Sequence, residues 1–165
     1  MRYLNKIVFI NSAAIRYSEV QLDGNIHLIG TQGVGKSTIL RAILFFYNAD
    51  TQRLGIPVEK KSYQDYYFPY ADSSIIYEVA REDGWFTVLS YKTMNRICYR
   101  FIASPYRPDL FIDEERAPYP SDRIRSVLDK NGIKYSGAIS TYEEYRNILY
   151  GNSDNKRDYS CYSLM

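Results

Sequence analysis

A chain of 165 residues is the length of one ordinary domain and can bury a real core. With 45% hydrophobic and 24% charged residues it is composed like a folded protein, and a net charge of +2 excludes the overall basic field of a general nucleic-acid binder. The two distant cysteines, Cys98 and Cys161, and the one histidine, His27, give no metal-ligand spacing; no signal-peptide core or membrane-spanning apolar run occurs, so the expectation is a reduced, cytoplasmic protein with no membrane partner.

In chain order, Leu4 to Ile10 reads as a first strand. Tyr17 to Leu22 and Ile26 to Ile29 read as a hairpin across Asp23-Gly24-Asn25, because Asp-Gly supplies the positive φ angles of a tight turn. From Lys36 to Asn48 the period changes to that of a helix. Ile39, Leu40, Ile43, Leu44, Phe45 and Phe46 make it apolar on most of its circumference, which predicts burial on more than one side. Thr51 to Asp72 has no clean period and reads as a long ordered excursion.

Ser74 to Arg81 and Trp85 to Lys92 flank Asp83-Gly84, and Ile97 to Ala103 follows after Thr93-Met94-Asn95-Arg96. Connections this short predict an antiparallel meander. Leu110 to Ile112 is a brief apolar run. Ser121 to Lys130 predicts a helix capped by Ser121, and Thr141 to Tyr150 another, with Thr141 and Glu144 in capping-box spacing. These elements make residues 1–150 one lobe, and 151–165 a polar, tyrosine-rich tail without a closing element, the expected point of truncation from a longer protein. The 18 tyrosines suit half-buried sheet faces, their rings apolar and their tips polar.

The chemistry concentrates in Gly30-Thr31-Gln32-Gly33-Val34-Gly35-Lys36-Ser37, a full match to G-x-x-x-x-G-K-S set between a strand and a helix. Gly30, Gly33 and Gly35 permit the backbone turns that aim successive N–H groups at phosphate oxygens, and the helix start presents its amides to the same anion. Lys36 is expected at the β- and γ-phosphates, the Ser37 hydroxyl on Mg2+, and Thr38 near the α-phosphate, with ATP and Mg2+ as cofactors. Hydrolysis also needs a carboxylate at a strand end. Leu110-Phe111-Ile112-Asp113-Glu114 offers one only superficially, since Pro108-Asp109 is poor for a central strand and a surface turn is simpler, so no catalytic residue is assigned.

The segment Gly30 to Ile43, with Tyr66-Tyr67-Phe68-Pro69 and Ile75-Ile76-Tyr77-Glu78-Val79 after it, resembles the amino-terminal half of an ABC-type ATPase head. More narrowly it resembles the SMC-like branch of MukB and the JetC subunit of Wadjet systems, over about the first hundred residues, with Gln32 where Asn is usual. The resemblance implies a mixed α/β fold: a P-loop NTPase core with an antiparallel meander. It also implies ATP held between paired heads, a carboxy-terminal half supplying the signature motif and Walker B carboxylates, and DNA handled by the assembled complex. Arg53 lies where such heads carry an arginine loop; a solvated surface arginine is the simpler account, as it is for Lys60 and Lys61. Tyr17 could stack on adenine, although core or surface packing is the simpler account. A self-contained P-loop NTPase or kinase and a non-catalytic nucleotide-binding module stay open, although no Asn-Lys-x-Asp motif is present and Arg123 and Arg125 are too few for a kinase lid.

Overall fold

The computed structural model describes residues 2–22, 35–48, 63–153 and 159–165. Its centre is a five-stranded antiparallel sheet in the order β2-β1-β3-β4-β5. The strands are β1 (Tyr3–Ser12), β2 (Ile15–Gln21), β3 (Ser74–Arg81), β4 (Gly84–Thr93) and β5 (Arg96–Ile102). The helices are α1 (Lys36–Asn48), α2 (Tyr63–Tyr67), α3 (Ser121–Lys130) and α4 (Tyr142–Leu149). The mixed α/β class and the meander follow the sequence reading.

Both faces of the sheet are covered, which is why the central strand β3 is apolar almost without alternation. One face carries Ile7, Phe9, Ile75, Tyr77, Val79, Phe86, Val88, Tyr99 and Phe101, packed against α1, α2 and α4. The other carries Val8, Ile10, Ile76, Leu89 and Ile102, packed against the segment from Tyr106 to Ile112 and against α3. The outer edge of β5 is closed by residues 134–139: Tyr99 and Ile139 exchange backbone hydrogen bonds, Ala103 N donates to Lys134 O, and Ser136 N to Phe101 O. An edge covered in this way offers few open groups for stray strand pairing.

Several expectations need correction. The hairpin that joins β1 to β2 turns at Ala13 and Ala14, with φ of 50° and 64°. Alanine gives no hint of that left-handed backbone. The expected Asp23-Gly24-Asn25 hairpin and the strand Ile26 to Ile29 lie outside the described residues. Between β3 and β4 the turn residues are Glu82 and Asp83, one position earlier than read, because Arg81 pairs with Gly84, whose φ is 147°.

Helix α3 is preceded by Pro120 at its N-cap, without a side-chain bond, and Ser121 is its first helical residue rather than its cap. Proline fixes the extended entry that a serine cap would otherwise help to set. At α4 the Thr141 hydroxyl accepts from Glu144 N as expected. The long excursion contains α2, whose Tyr63 and Tyr67 are buried with the neighbouring Phe68. The tail does close: Ser160–Tyr162 forms a 3-10 turn, Tyr162 is fully buried against Phe86 and Phe101, and Leu164 N donates to Leu149 O.

Candidate functional site

Lys36 opens α1, and Ile39 N donates to Gly35 O at 3.2 Å to begin the helix. Of the expected phosphate loop, Gly30, Thr31, Gln32, Gly33 and Val34 lie outside the described residues, as do Arg53, Lys60 and Lys61. Gly35, Lys36 and Ser37 are exposed together at the helix start, and no acidic residue stands in that first turn. A first turn without a carboxylate gives the positive dipole end no counter-charge of its own. Among the described residues no atom would come within 4 Å of a side chain added at Gly35. Thr38 is 8% exposed, and its hydroxyl lies 3.1 Å from the Tyr66 hydroxyl.

What fixes the helix is a set of phenol hydroxyls that the sequence did not reveal. Tyr67 donates to Thr38 O, Tyr77 to Ala42 O, Tyr145 to Phe46 O and Tyr150 to Tyr47 O. Positions 38, 42 and 46 are one helical turn apart, so three of these donors act along one face of α1. Phe46 and Tyr47 are in the last turn, where carbonyls lack intrahelical donors, and there the phenols of Tyr145 and Tyr150 serve as caps. Burial, the dominant cause, holds the phenols of Tyr67, Tyr77 and Tyr145 above their ordinary range, so they stay protonated donors. Tyr63 stacks on Phe45 and Tyr67, at 4.4 and 4.3 Å between ring centroids. Its own hydroxyl is buried without a hydrogen-bond partner among the described residues, and the Tyr77 hydroxyl donates to Ala42 O.

The inner side of α1, with Ile39, Ala42, Phe45 and Phe46, is sealed, while Leu40 and Leu44 are 41% and 45% exposed. Burial of α1 on more than one side is therefore corrected: among the described residues it packs on one. No helix of the described residues is long and apolar enough to cross a membrane.

The other sequence candidates fall elsewhere. Tyr17 belongs to the opposite face, where its hydroxyl meets that of Tyr106 at 2.9 Å and Arg116 lies over its ring. It is not brought to the start of α1. Asp113 and Glu114 are exposed in a turn on that same opposite side. Both Glu115 N and Ala117 N donate to Asp113 Oδ1, so the carboxylate closes its own turn between the bridged Ile112 and Pro118.

A buried carboxylate missed in the sequence is Glu78, which accepts from Asn5 Nδ2 at 2.8 Å and Tyr106 N at 2.6 Å. It ties β1, β3 and the segment after β5 together rather than facing α1.

These features define a mixed α/β protein that fixes one helix against an antiparallel sheet and presents that helix's lysine–serine start to solvent. The chain belongs to the DUF3584 family, described as protein of unknown function, which it matches over residues 11–160. No curated protein and no solved structure matches it.

Proposed function

We propose that this chain binds Mg-ATP at the start of α1, as the amino-terminal part of an SMC-like ATPase head. The observation that carries the reading is the exposed Gly35-Lys36-Ser37 start of a helix whose inner side is buried and clamped by four phenols. The residues present fit a polyphosphate: a cation, a hydroxyl and the amides of a helix start stand together, with no carboxylate in the first turn. Lys36 would face the phosphates and the Ser37 hydroxyl would hold Mg2+, which when bound neutralises phosphate charge. The clamped helix keeps these groups in register, so binding need not order them first.

By the resemblance, a carboxy-terminal half of the same head supplies the hydrolytic carboxylates, two heads pair on ATP, and the assembly acts on DNA in its organisation, repair or anti-plasmid defence. Asp113 bonds to the backbone of its own turn, which favours hydrolytic carboxylates from outside this segment. Calorimetric titration with Mg-ATP tests the site. Lys36→Ala should abolish binding while the circular dichroism spectrum stays unchanged, and Asp113→Asn should leave binding as it was. Equal affinity in the Lys36→Ala protein contradicts the site; loss of Mg-dependent affinity in Asp113→Asn instead favours a self-contained enzyme.

A further inference from the structure

A second feature lies on the sheet face opposite α1 and plays no part in the nucleotide reading. Arg100 is a β5 residue only 6% exposed, directly across from Leu89. A guanidinium is charged at every physiological pH, and burial of such a charge ordinarily brings a carboxylate with it. Here the acceptor that Arg100 meets among the described residues is neutral: Nη1 donates to Ser136 O at 2.7 Å. Its guanidinium also rests over the Tyr135 ring, 5.6 Å from the centroid.

More cations converge on the place. Arg96 and Arg100 flank Cys98, each two residues from it on one side of β5, with Tyr91 paired opposite Cys98. Arg125, exposed on α3, stands one helical turn before Asp129, which holds the hydroxyl of the same Tyr135 whose ring Arg100 meets. The neighbouring carboxylate, Asp129, accepts from the Tyr135 hydroxyl at 2.8 Å rather than from an arginine. Ion pairs of the described residues occupy Arg2, Lys6, Arg81 and Arg107, and none of these three arginines. Like charges gathered around a buried guanidinium repel one another unless an anion joins them.

We propose that Arg100, with Arg125 and Arg96 around it, forms a phosphate-binding site on the α3 side of the sheet. The buried Arg100 supplies a fixed fork, set by Ser136 O and the Tyr135 ring, and the exposed pair supplies adjustable charge. Planar N–H donors in this arrangement suit tetrahedral oxyanions. The phosphate can come from a small phosphorylated ligand or from a nucleic-acid backbone, and Tyr91 and Tyr135 provide ring surface beside it in either case.

The test uses the full chain with Lys36→Ala, so that the start of α1 takes no phosphate. Inorganic phosphate is titrated at constant ionic strength while the arginine Nε–H signals are followed by nuclear magnetic resonance. A short single-stranded oligonucleotide is titrated separately by fluorescence anisotropy. Phosphate should move the Arg100 signal, and Arg125→Gln should weaken the interaction about tenfold. Arg100→Gln should remove it, whereas Arg107→Gln, which changes an arginine already paired with Asp109, should not. Arginine-dependent binding of both probes identifies a nucleic-acid backbone; binding of phosphate alone identifies a small ligand. If Arg100→Gln fails to fold, the exposed Arg125 decides. The proposal is overturned if neither probe binds, or if binding is the same in Arg125→Gln and in any folded Arg100→Gln protein.

Discussion

On one side of the sheet, α1 is held by phenol hydroxyls that donate to its carbonyls, with stacked rings between them. On the other, the covering segment and α3 pack through Leu110, Phe111, Ile112, Ile124 and Leu128 around the buried carboxylate of Glu78. Apolar contacts tolerate small slides, because dispersion has little direction. A hydroxyl at hydrogen-bond distance from a carbonyl does not. The aromatic side therefore fixes one helix in rotation and translation while its exposed end remains open. On the α3 side, polar groups mostly brace the fold: Asp113 closes its own turn, and Glu78 joins three segments.

Substitutions separate the two sides. The largest loss is expected from Phe46→Ala, which empties a fully buried position under α1 and should cost about 3–5 kcal/mol in urea unfolding. A loss below about 1 kcal/mol would mean that α1 is not packed as described.

Alkaline pH acts on many phenols at once. Below pH 10 the folded and unfolded chains both keep them protonated, so that stability is fully present. As pH rises past that value the unfolded chain loses phenol protons that the folded chain retains, and stability falls through the raised native values. Tyr17 on the α3 side, pushed up to about 12 mainly by burial, should ionise with the fold intact. Tyr77 and Tyr145 should ionise only on unfolding. Phenolate absorbance followed beside circular dichroism distinguishes the two groups; complete ionisation before any loss of structure would contradict the burial of the clamps.

Glu78→Ala should cost roughly 2 kcal/mol, because Asn5 Nδ2 and Tyr106 N would be left buried without an acceptor. That loss should leave hydrogen exchange at α1 unchanged relative to the rest of the sheet. Tyr145→Phe is the mildest change, about 1 kcal/mol, and deletes only the hydroxyl on Phe46 O. Its sharper signature is faster exchange confined to the last turn of α1. Uniform acceleration over the whole chain would deny the hydroxyl a local role.

How much could be read beforehand follows from what each element required. The bounds of α1, β3 and α3 coincide with the sequence reading, because the change of apolar period and the flanking turn residues are local signals. The Ala13–Ala14 turn could not be read, since its positive φ is imposed by strand pairing. Helix α2 was hidden by its five-residue length and by the absence of any period around Tyr63. At the candidate site, the place of Lys36 and Ser37 at the start of α1 was legible from the change of period. The tyrosine clamps were not: a chain with 18 tyrosines does not disclose which phenol will reach which carbonyl until sheet and helices meet. Arg100 was opaque for a similar reason, because only the pairing with β4 and the segment at Ser136 buries it.

The most direct test follows the backbone amide signals of the isotopically labelled full chain while Mg-ATP is added. The account predicts large shifts at Gly35, Lys36 and Ser37, with the α3-side turn at Asp113 to Ala117 unmoved. Saturating nucleotide that left those three amides in place, or moved the Asp113 turn instead, would contradict it.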